Sequence, residues 1–395
     1  MPLKNILRGL SFLLFLFLCL PLTNLTRRAG AQGGQSNLPV EQTRKNIQVL
    51  KGLPESQLFP VMNFVAASLG VKCDFCHVKQ EAPPGGEAKW IWESDDKEHK
   101  RVARQMMRMT LDINKNNLEA LGGYGVTCYT CHRGTRGGPR LPPLPLTVSG
   151  HEDPPAKPGA TAPAAAVAAA RPARPTPEEI LKKYVEAVGG RAAIAKIQTI
   201  YWKGTRVASQ DRIWPIEIMT KGADKFRIVV NVPEQPPITQ AFSGAQGWIK
   251  NPNGQNTASE AELAALQSTA LMYAPLKIKE PFPALTFNGT TKINERDAYV
   301  LRTTKPDGTI ERYYFDTESG LLVRQQKLVP TVLVPIPEQI DYEDYRDVGG
   351  VKLSFTIRIS EIDTYFSSTR KFTEIKANVP VDDAQFQIPA ATAKP

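Results

Sequence analysis

Apolar residues in the first third of the chain recur with the period of an α-helix. The first stripe follows the spacing i, i+4, i+7 and i+11 and consists of Leu58, Met62, Val65 and Leu69. The second stripe follows the same spacing and consists of Val102, Met106, Met109 and Ile113. Residues at these spacings share one helical face, so we predict two amphipathic helices, the first of which ends at Gly70.

The pattern after residue 176 changes to the alternation of β-strands. Thr176, Pro177 and Glu179 form the cap of a first helix, and another helix is predicted at about 258–273. Elsewhere apolar and polar residues alternate, most regularly over 353–359, and a turn signal at 305–308 separates two such runs. We therefore predict a strongly antiparallel sheet with helices on one of its faces.

A stretch rich in proline and alanine over residues 139–175 separates these two parts. Such a composition forms a stiff, extended linker and cannot bury a core. It divides the chain into a predicted domain at 32–138 and a second one at 176–395. No Cys or His follows His151, which excludes a thiolate metal site or a histidine base from the second domain.

The N-terminus has the three parts of an export signal. Lys4 and Arg8 precede an apolar run over 10–22, and small residues at 29–31 form a cleavage site. We predict a signal peptide at 1–31 and a periplasmic or exported protein. Retention as an uncleaved membrane anchor stays open, because two arginines directly precede the cleavage site. The formal charge of +10 is too mild and dispersed to indicate nucleic acid as a partner.

Four of the five cysteines stand in two CxxCH motifs. Two thiols at this spacing reach both vinyl groups of one haem, and the histidine that follows them is held under the iron. The motifs therefore predict two covalently bound haem c groups. We expect one haem to be attached at Cys73 and Cys76 and the other at Cys128 and Cys131, with His77 and His132 as iron ligands.

Zinc and disulfide chemistry are the alternatives for paired cysteines. The separation between Cys76 and Cys128 is long for a zinc ribbon, and a disulfide would need neither histidine. A histidine follows both pairs although the chain has only four. These observations favour haem and leave the two alternatives open.

The two methionine-bearing helices predict the sixth ligand of each iron. The turn at Gly70 lets the first helix lie over its haem with Met62 toward the iron. On the second helix Met106 and Met109 share the apolar face, so the spacing leaves both open, while Met107 points elsewhere. Methionine on such a face is usually core filler, but a neighbouring CxxCH motif favours ligation.

Several longer motifs occur in order between about residues 40 and 140. They are Leu50-Lys-Gly-Leu53, Phe59-Pro-Val-Met62, Leu69-Gly-Val-Lys-Cys73, Ala103-Arg-Gln-Met106-Met-Arg-Met-Thr110, Ile113-Asn114 and Val126-Thr-Cys-Tyr-Thr-Cys-His-Arg-Gly134. With them the region resembles the cytochrome c subunit of photosynthetic reaction centres. The resemblance implies Met62 and Met106 as axial ligands, with Met109 as the runner-up. Full-length members carry four haems, whereas this chain has motifs for two.

The C-terminal region carries shorter patterns dominated by turn residues. They are Tyr314-Phe-Asp-Thr-Glu-Ser-Gly-Leu321, Tyr342-Glu-Asp-Tyr-Arg-Asp-Val-Gly-Gly-Val351 and Asn378-Val-Pro-Val-Asp-Asp383 followed by Phe386. They resemble the periplasmic lipoprotein-localisation factors, half-open barrels that hold acyl chains. We thus expect a multi-domain protein with an all-α c-type dihaem domain and an α+β antiparallel half-open β-barrel domain.

The predicted function is electron transfer by an exported dihaem c-type cytochrome, and not an enzymatic activity. Its expected partners are redox proteins, such as a membrane-bound reaction centre or respiratory complex, with lipid or lipoprotein contact through the C-terminal domain. One alternative is a dihaem peroxidase-like enzyme, which needs an iron with a vacant sixth position. Another is a zinc- or disulfide-stabilised periplasmic module that binds lipid or lipoprotein.

Overall fold

A computed structural model describes residues 38–81, 88–119, 125–137, 174–209, 212–362 and 367–389. These residues belong to one compact unit, Gly34–Pro395. The predicted signal peptide and all but the last two residues of the predicted linker lie outside the described residues. Within the described ranges, no helix is long and apolar enough to cross a membrane.

The N-terminal region is helical, as predicted, but it is not entirely helical. Its helices are α1 (Val40–Thr43), α2 (Glu55–Leu69), α3 (Glu98–Asp112) and α4 (Cys128–His132). Between α2 and α3 the chain forms an antiparallel pair, β1 (Val78–Gln80) and β2 (Lys89–Ile91). The prediction of an all-α domain is wrong in this respect, because strands of three residues are too short to show an alternating pattern.

Helix α2 ends where the sequence predicts. Gly70 adopts the left-handed conformation at φ 63° and ψ 39°, and its N–H donates to the carbonyl groups of the last turn. Glycine is favoured here because it has no Cβ to clash in this conformation. Pro60 is the sixth residue of this helix. This stop reverses the chain just before the first CxxCH motif.

The strands among the described residues of the C-terminal region form one open antiparallel sheet of 13 strands. The first meander comprises β3 (Thr199–Ala208), β4 (Ile213–Lys221), β5 (Lys225–Val230), β6 (Ile238–Ser243), β7 (Gln246–Asn251) and β8 (Gly254–Thr257). The second comprises β9 (Thr286–Ile293), β10 (Arg296–Thr304), β11 (Ile310–Asp316), β12 (Leu322–Val329), β13 (Ile336–Val348), β14 (Val351–Ser360) and β15 (Ser368–Ala377). Pairing of β3 with β15 joins the two meanders. The predicted antiparallel sheet is therefore confirmed, but β8 and β9 are its edges and the sheet is not closed.

Helices α5 (Pro177–Val188), α6 (Gly190–Ala195) and α7 (Glu260–Leu271) accompany the sheet. The predicted cap is confirmed: Thr176 and Glu179 form a capping box, with Pro177 at the first helical position. Buried residues of α5 and α7 share one hydrophobic cluster with residues of the strands, which include Trp202, Ile218 and Phe226. The helices therefore cover the face of the sheet that carries the main core.

A second hydrophobic cluster joins the two regions. It contains residues from α1, from the segment between α1 and α2, from α2 and α3, and from the segment around the start of β13, namely Val40, Leu50, Leu53, Val61, Met107, Leu333, Val334 and Ile336. All eight are buried. The helical region is thus packed directly on the connection between β12 and β13.

Candidate haem sites

The first CxxCH motif forms a tight turn immediately after α2. Cys73–Phe75 is one turn of 3-10 helix, and the His77 N–H donates to the Cys73 carbonyl oxygen at 2.9 Å. The Cys76 N–H donates to the same oxygen at 3.3 Å. These backbone hydrogen bonds of the protein alone hold the two thiols and the imidazole of the motif close together.

A cavity of about 390 Å³ opens between this motif and α2. Cys73, Cys76 and His77 line it together with Met62. The predicted apolar stripe of α2 also lines it, through Leu58, Val65 and Leu69. The volume lies within the roughly 300–1,000 Å³ that cofactor sites occupy. Two thiols, an imidazole, a thioether and an apolar wall are the groups that a covalently attached haem requires.

The His77 ring is oriented by one backbone group. Its Nδ1 lies 3.3 Å from the Trp92 carbonyl oxygen, which can only accept, so Nδ1 donates and Nε2 keeps its lone pair. Burial lowers the pKa of His77, and the charge of Lys100 lowers it further. Both effects favour the neutral imidazole, which is the form that binds a metal.

Two tryptophans continue the wall beside His77. The Trp92 ring meets the His77 ring edge-on with centroids 5.1 Å apart, and Trp90 stacks on Trp92 at 4.6 Å. Trp92 lines the cavity and remains 40% exposed. Strand β2 carries Trp90 and is followed directly by Trp92, so the short strand pair positions part of the candidate site.

Basic side chains dominate the charged part of the cavity wall. Glu93 is the acidic residue among the lining residues, whereas the basic ones are Arg44, Lys45, Lys72, Lys100 and Arg104. A haem carries two propionates, and a basic wall offsets their charge. The lining therefore fits an anionic cofactor better than a neutral one.

Lys100 and Arg104 are buried although they are charged. The Lys100 Nζ donates to the carbonyl oxygens of Trp92 and Ser94 at 2.8 and 2.7 Å. The Arg104 Nη1 donates to an Asp95 carboxylate oxygen at 2.8 Å. This bond is the main cause that holds the pKa of Asp95 well below its usual range. Lys100 and Arg104 are thus fixed in place beside the cavity by these hydrogen bonds.

The second CxxCH motif begins a short helix with a strong cap. The Thr127 side chain accepts from the Thr130 N–H, and the Thr130 hydroxyl accepts from the Thr127 N–H. The Asn114 side chain donates to the Val126 carbonyl oxygen at 2.9 Å and accepts from the Val126 N–H at 2.8 Å. Asn114 lies in the π-helical turn Ile113–Leu118 that continues α3. The end of α3 therefore holds the segment that leads into Cys128.

His132 is oriented in the same way as His77. Its Nδ1 lies 3.2 Å from the Thr135 carbonyl oxygen, so this nitrogen donates and Nε2 is left as the ligand atom. Burial raises the pKa of Cys128, as it does for Cys76. The two motifs thus share the local arrangement that suits axial ligation.

Helix α3 exposes the apolar stripe that the sequence predicts. Val102, Met106 and Met109 are 42%, 42% and 46% exposed. The opposite face is buried and carries Lys100, Arg104, Met107 and Thr110. Met107 lines the first cavity, which agrees with the prediction that it points away from the stripe, whereas Met106 and Met109 do not line that cavity. An apolar stripe left in solvent suits a second bound group that would cover it.

The segment that follows the second motif contacts the end of α2 and the first motif. The Gly134 N–H donates to the Ser68 carbonyl oxygen at 2.9 Å, and the Arg136 guanidinium lies 5.6 Å from the centre of the Phe75 ring. Through these contacts, the segment after the second motif packs on the end of α2. In the part of the chain that the structure describes, no three His, Cys, Asp or Glu side chains converge as a metal site.

Several supporting residues of these sites are not predicted by the sequence. Asn114 stands in one of the motifs, but nothing in the pattern indicates that its side chain binds the backbone of Val126, although an asparagine can donate to and accept from one peptide unit. The acceptors for the two histidines are backbone carbonyl groups, those of Trp92 and Thr135. The residue type at these positions therefore does not indicate the contact. The predicted roles of the cysteines, histidines and methionines stay predictions.

Residues 30–142 match the family model described as the photosynthetic reaction centre cytochrome C subunit. The resemblance inferred from the motifs is confirmed. The reaction centre cytochrome c subunit of Thermochromatium tepidum is 33% identical over 123 residues, which cover 27% of this chain and 28% of that protein. Cytochrome c-554 of Chloroflexus aurantiacus is 33% identical over 107 residues, 26% of this chain and 23% of that protein.

The chain thus covers about a quarter of the length of these curated relatives. Among solved structures, a LolA superfamily protein from Nitrosomonas europaea is similar with a TM-score of 0.38 and 13% identity. That match covers 54% of this chain and 99% of the other one. These values are too low to indicate what the sheet binds. The relatives support a c-type cytochrome with covalently bound haem c.

Proposed function

We propose that this chain is a c-type cytochrome that carries electrons and binds two haems covalently. The observation that supports it most directly is the repeated arrangement at the two CxxCH motifs. In each motif a backbone carbonyl accepts from histidine Nδ1 and leaves Nε2 as a ligand atom. The thiols and thioether around the first cavity and the exposed apolar stripe on α3 support a cofactor at each motif.

The residues of the chain have distinct tasks in this proposal. Cys73 and Cys76 would attach one haem, and His77 and Met62 would bind its iron. The second haem is attached at Cys128 and Cys131 and bound by His132 and Met106, with Met109 as the runner-up. A bound haem supplies an iron that gains and loses one electron. The protein sets its potential through ligation, burial and the basic wall.

The partners and the location are part of the proposal. We infer a redox protein as the partner, such as a membrane-bound reaction centre or respiratory complex. The relatives that are named reaction centre subunits support this class of partner. Residues 1–31 would direct the chain to the periplasm or retain it at a membrane. Lipid or lipoprotein contact through the sheet stays a prediction.

Haem counting tests the proposal. The protein is produced in a host that attaches haem c, and a haem stain on a denaturing gel is combined with a haemochrome assay. We expect two covalent haems per chain. Variants in which Cys73 and Cys76, or Cys128 and Cys131, are replaced by serine should each retain one haem and serve as controls for each other. A colourless wild-type protein would contradict the proposal and favour the zinc or disulfide alternative.

The same preparation distinguishes an electron carrier from a peroxidase-like enzyme. An electron carrier with two methionine ligands has both irons six-coordinate, so carbon monoxide should bind the reduced protein poorly. A peroxidase-like enzyme has one five-coordinate iron that binds carbon monoxide or cyanide readily. Rapid and stoichiometric binding at one haem would therefore favour the enzyme.

A further inference from the structure

The loop between β12 and β13 has an unusual composition for a surface connection. Residues 330–335 read Pro-Thr-Val-Leu-Val-Pro, and Leu333 and Val334 are only 4% and 2% exposed. The Thr331 hydroxyl accepts from the N–H groups of Leu333 and Val334 at 3.2 and 3.1 Å. It also donates to the Val334 carbonyl oxygen at 2.6 Å. These bonds give the loop a defined shape that presents two apolar side chains in one direction.

Helices of the haem-bearing region cover these side chains. Leu333 and Val334 share a hydrophobic cluster with Val61 of α2 and with Leu53, which lies just before that helix. Val61 and Leu53 are 0% exposed. The Gln57 side chain of α2 adds a hydrogen bond to the Pro330 carbonyl oxygen at 3.4 Å. The loop thus packs along the first half of α2.

The same cluster also borders the first cavity. Met62 packs against the cluster and lines the cavity, and the cluster members Leu50 and Met107 line it as well. Leu333 and Val334 are in the cluster but do not line the cavity. Residues of this cluster therefore link the loop of the sheet to the wall of the cavity that Cys73 and Cys76 line.

We propose that the β12–β13 loop is a positioning element for the first haem site, because its packing on α2 holds Met62 toward the cavity. Leu333 and Val334 act through the cluster that they share with Val61 and do not line the cavity. The sheet region would then set the ligation and potential of one haem while the second haem does not depend on this loop. This inference rests on the proposed function, since it requires a haem at Cys73 and Cys76.

The test introduces Leu333→Ala into the full chain. It measures the reduction potentials of both haems and the methionine–iron absorption. We expect one potential to fall, with the other unchanged, and imidazole to displace one methionine at a concentration about tenfold lower than in the wild type. Leu333→Met, which keeps the apolar volume, should restore both properties. Val332→Ala is the matched control, because Val332 lies in the same loop and is 41% exposed. If Leu333→Ala does not fold, Val334→Ala, which removes fewer atoms, is measured in its place.

The outcomes separate this inference from the proposed function. A wild-type protein without covalent haem would overturn both of them. A wild-type protein with two haems whose potentials and absorption are the same in Leu333→Ala or Val334→Ala would overturn the inference alone. Loss of stability without any spectral change in those variants would show that the loop contact is structural only.

Discussion

Gly70 and Gly134 approach each other so closely that a Cβ atom on Gly70 would lie 2.2 Å from the Gly134 carbonyl oxygen. Gly70 lies shortly before the first CxxCH motif, and Gly134 lies shortly after the second. The contact therefore fixes the backbone of the two candidate haem sites against each other. No side chain fits between them without a shift of one motif.

Gly70→Ala should destabilise the protein by about 3 kcal/mol, because left-handed strain costs roughly 1–2 kcal/mol and overpacking roughly 1–3 kcal/mol. The measurement is the free energy of unfolding from denaturant titration. Gly52→Ala is the control, because Gly52 also has a positive φ of +80° but a Cβ added there would have no atom within 4 Å. It should lose only about 1–2 kcal/mol. Equal losses in the two variants would mean that the close contact has no energetic role.

Replacement of the predicted methionine ligands should change one haem at a time. Met62→Ala and Met106→Ala should each lower a different potential, on the order of 0.1 V or more, because loss of a thioether ligand destabilises the reduced iron. Met109→Ala should leave both potentials unchanged. Spectroelectrochemistry checks this, together with the methionine–iron absorption. A larger effect of Met109→Ala than of Met106→Ala would reverse the ligand assignment on α3.

Asn114→Ala should loosen the segment that leads into the second motif. It removes two hydrogen bonds to Val126, and the expected loss of unfolding free energy is about 2 kcal/mol. Asn116→Ala is the matched control, because the exposed Asn116 side chain donates to the Asp112 carboxylate and not to the segment before the motif. Its loss should be about 0.5 kcal/mol or less. Equal stability of the two variants would contradict the role given to Asn114.

Lys277 should make stability depend on pH in the alkaline range. It is 2% exposed, and burial lowers its pKa to about 7. Between pH 7 and about 10 the unfolded chain holds a proton on this lysine that the folded protein has lost, so stability rises with pH. The slope is about 1.4 kcal/mol per pH unit.

Lys277→Met should remove that slope, and its stability advantage over the wild type should be largest at pH 7 and below. Unfolding measured by denaturant at several pH values checks this. Lys279→Met is the control at a nearby exposed residue and should keep the slope. A wild-type protein whose stability does not rise more steeply with pH than that of Lys277→Met would contradict the prediction.

Local patterns in the sequence predicted the parts of the fold that depend on local chemistry. The stripe of Leu58, Met62 and Val65 predicted both α2 and the wall of the first cavity. The capping box at Thr176 predicted the start of α5, and alternation predicted β14. In each case the signal and the structure lie within a few residues of one another.

Other features depend on partners that are distant in the sequence. Lys100 and Arg104 are buried because Asp95 and backbone carbonyls satisfy them, and a charged residue on a helix gives no sign of that. Leu333 and Val334 lie in a loop between two prolines, where apolar residues predict neither a helix nor a strand. Their partner is α2, which the sequence pattern places in a separate domain.

The pairing of β3 with β15 has a consequence for the order in which the protein can assemble. The strands that join the two meanders are the first and the last of the sheet in sequence order, so neither meander gains its central neighbour until β15 has been synthesised. Until then both inner edges expose unpaired backbone groups and are prone to aggregate. The cysteines of the two CxxCH motifs precede β3 in the sequence and are synthesised before that moment. The interval between the synthesis of β3 and that of β15 is therefore the period in which these edges are most exposed.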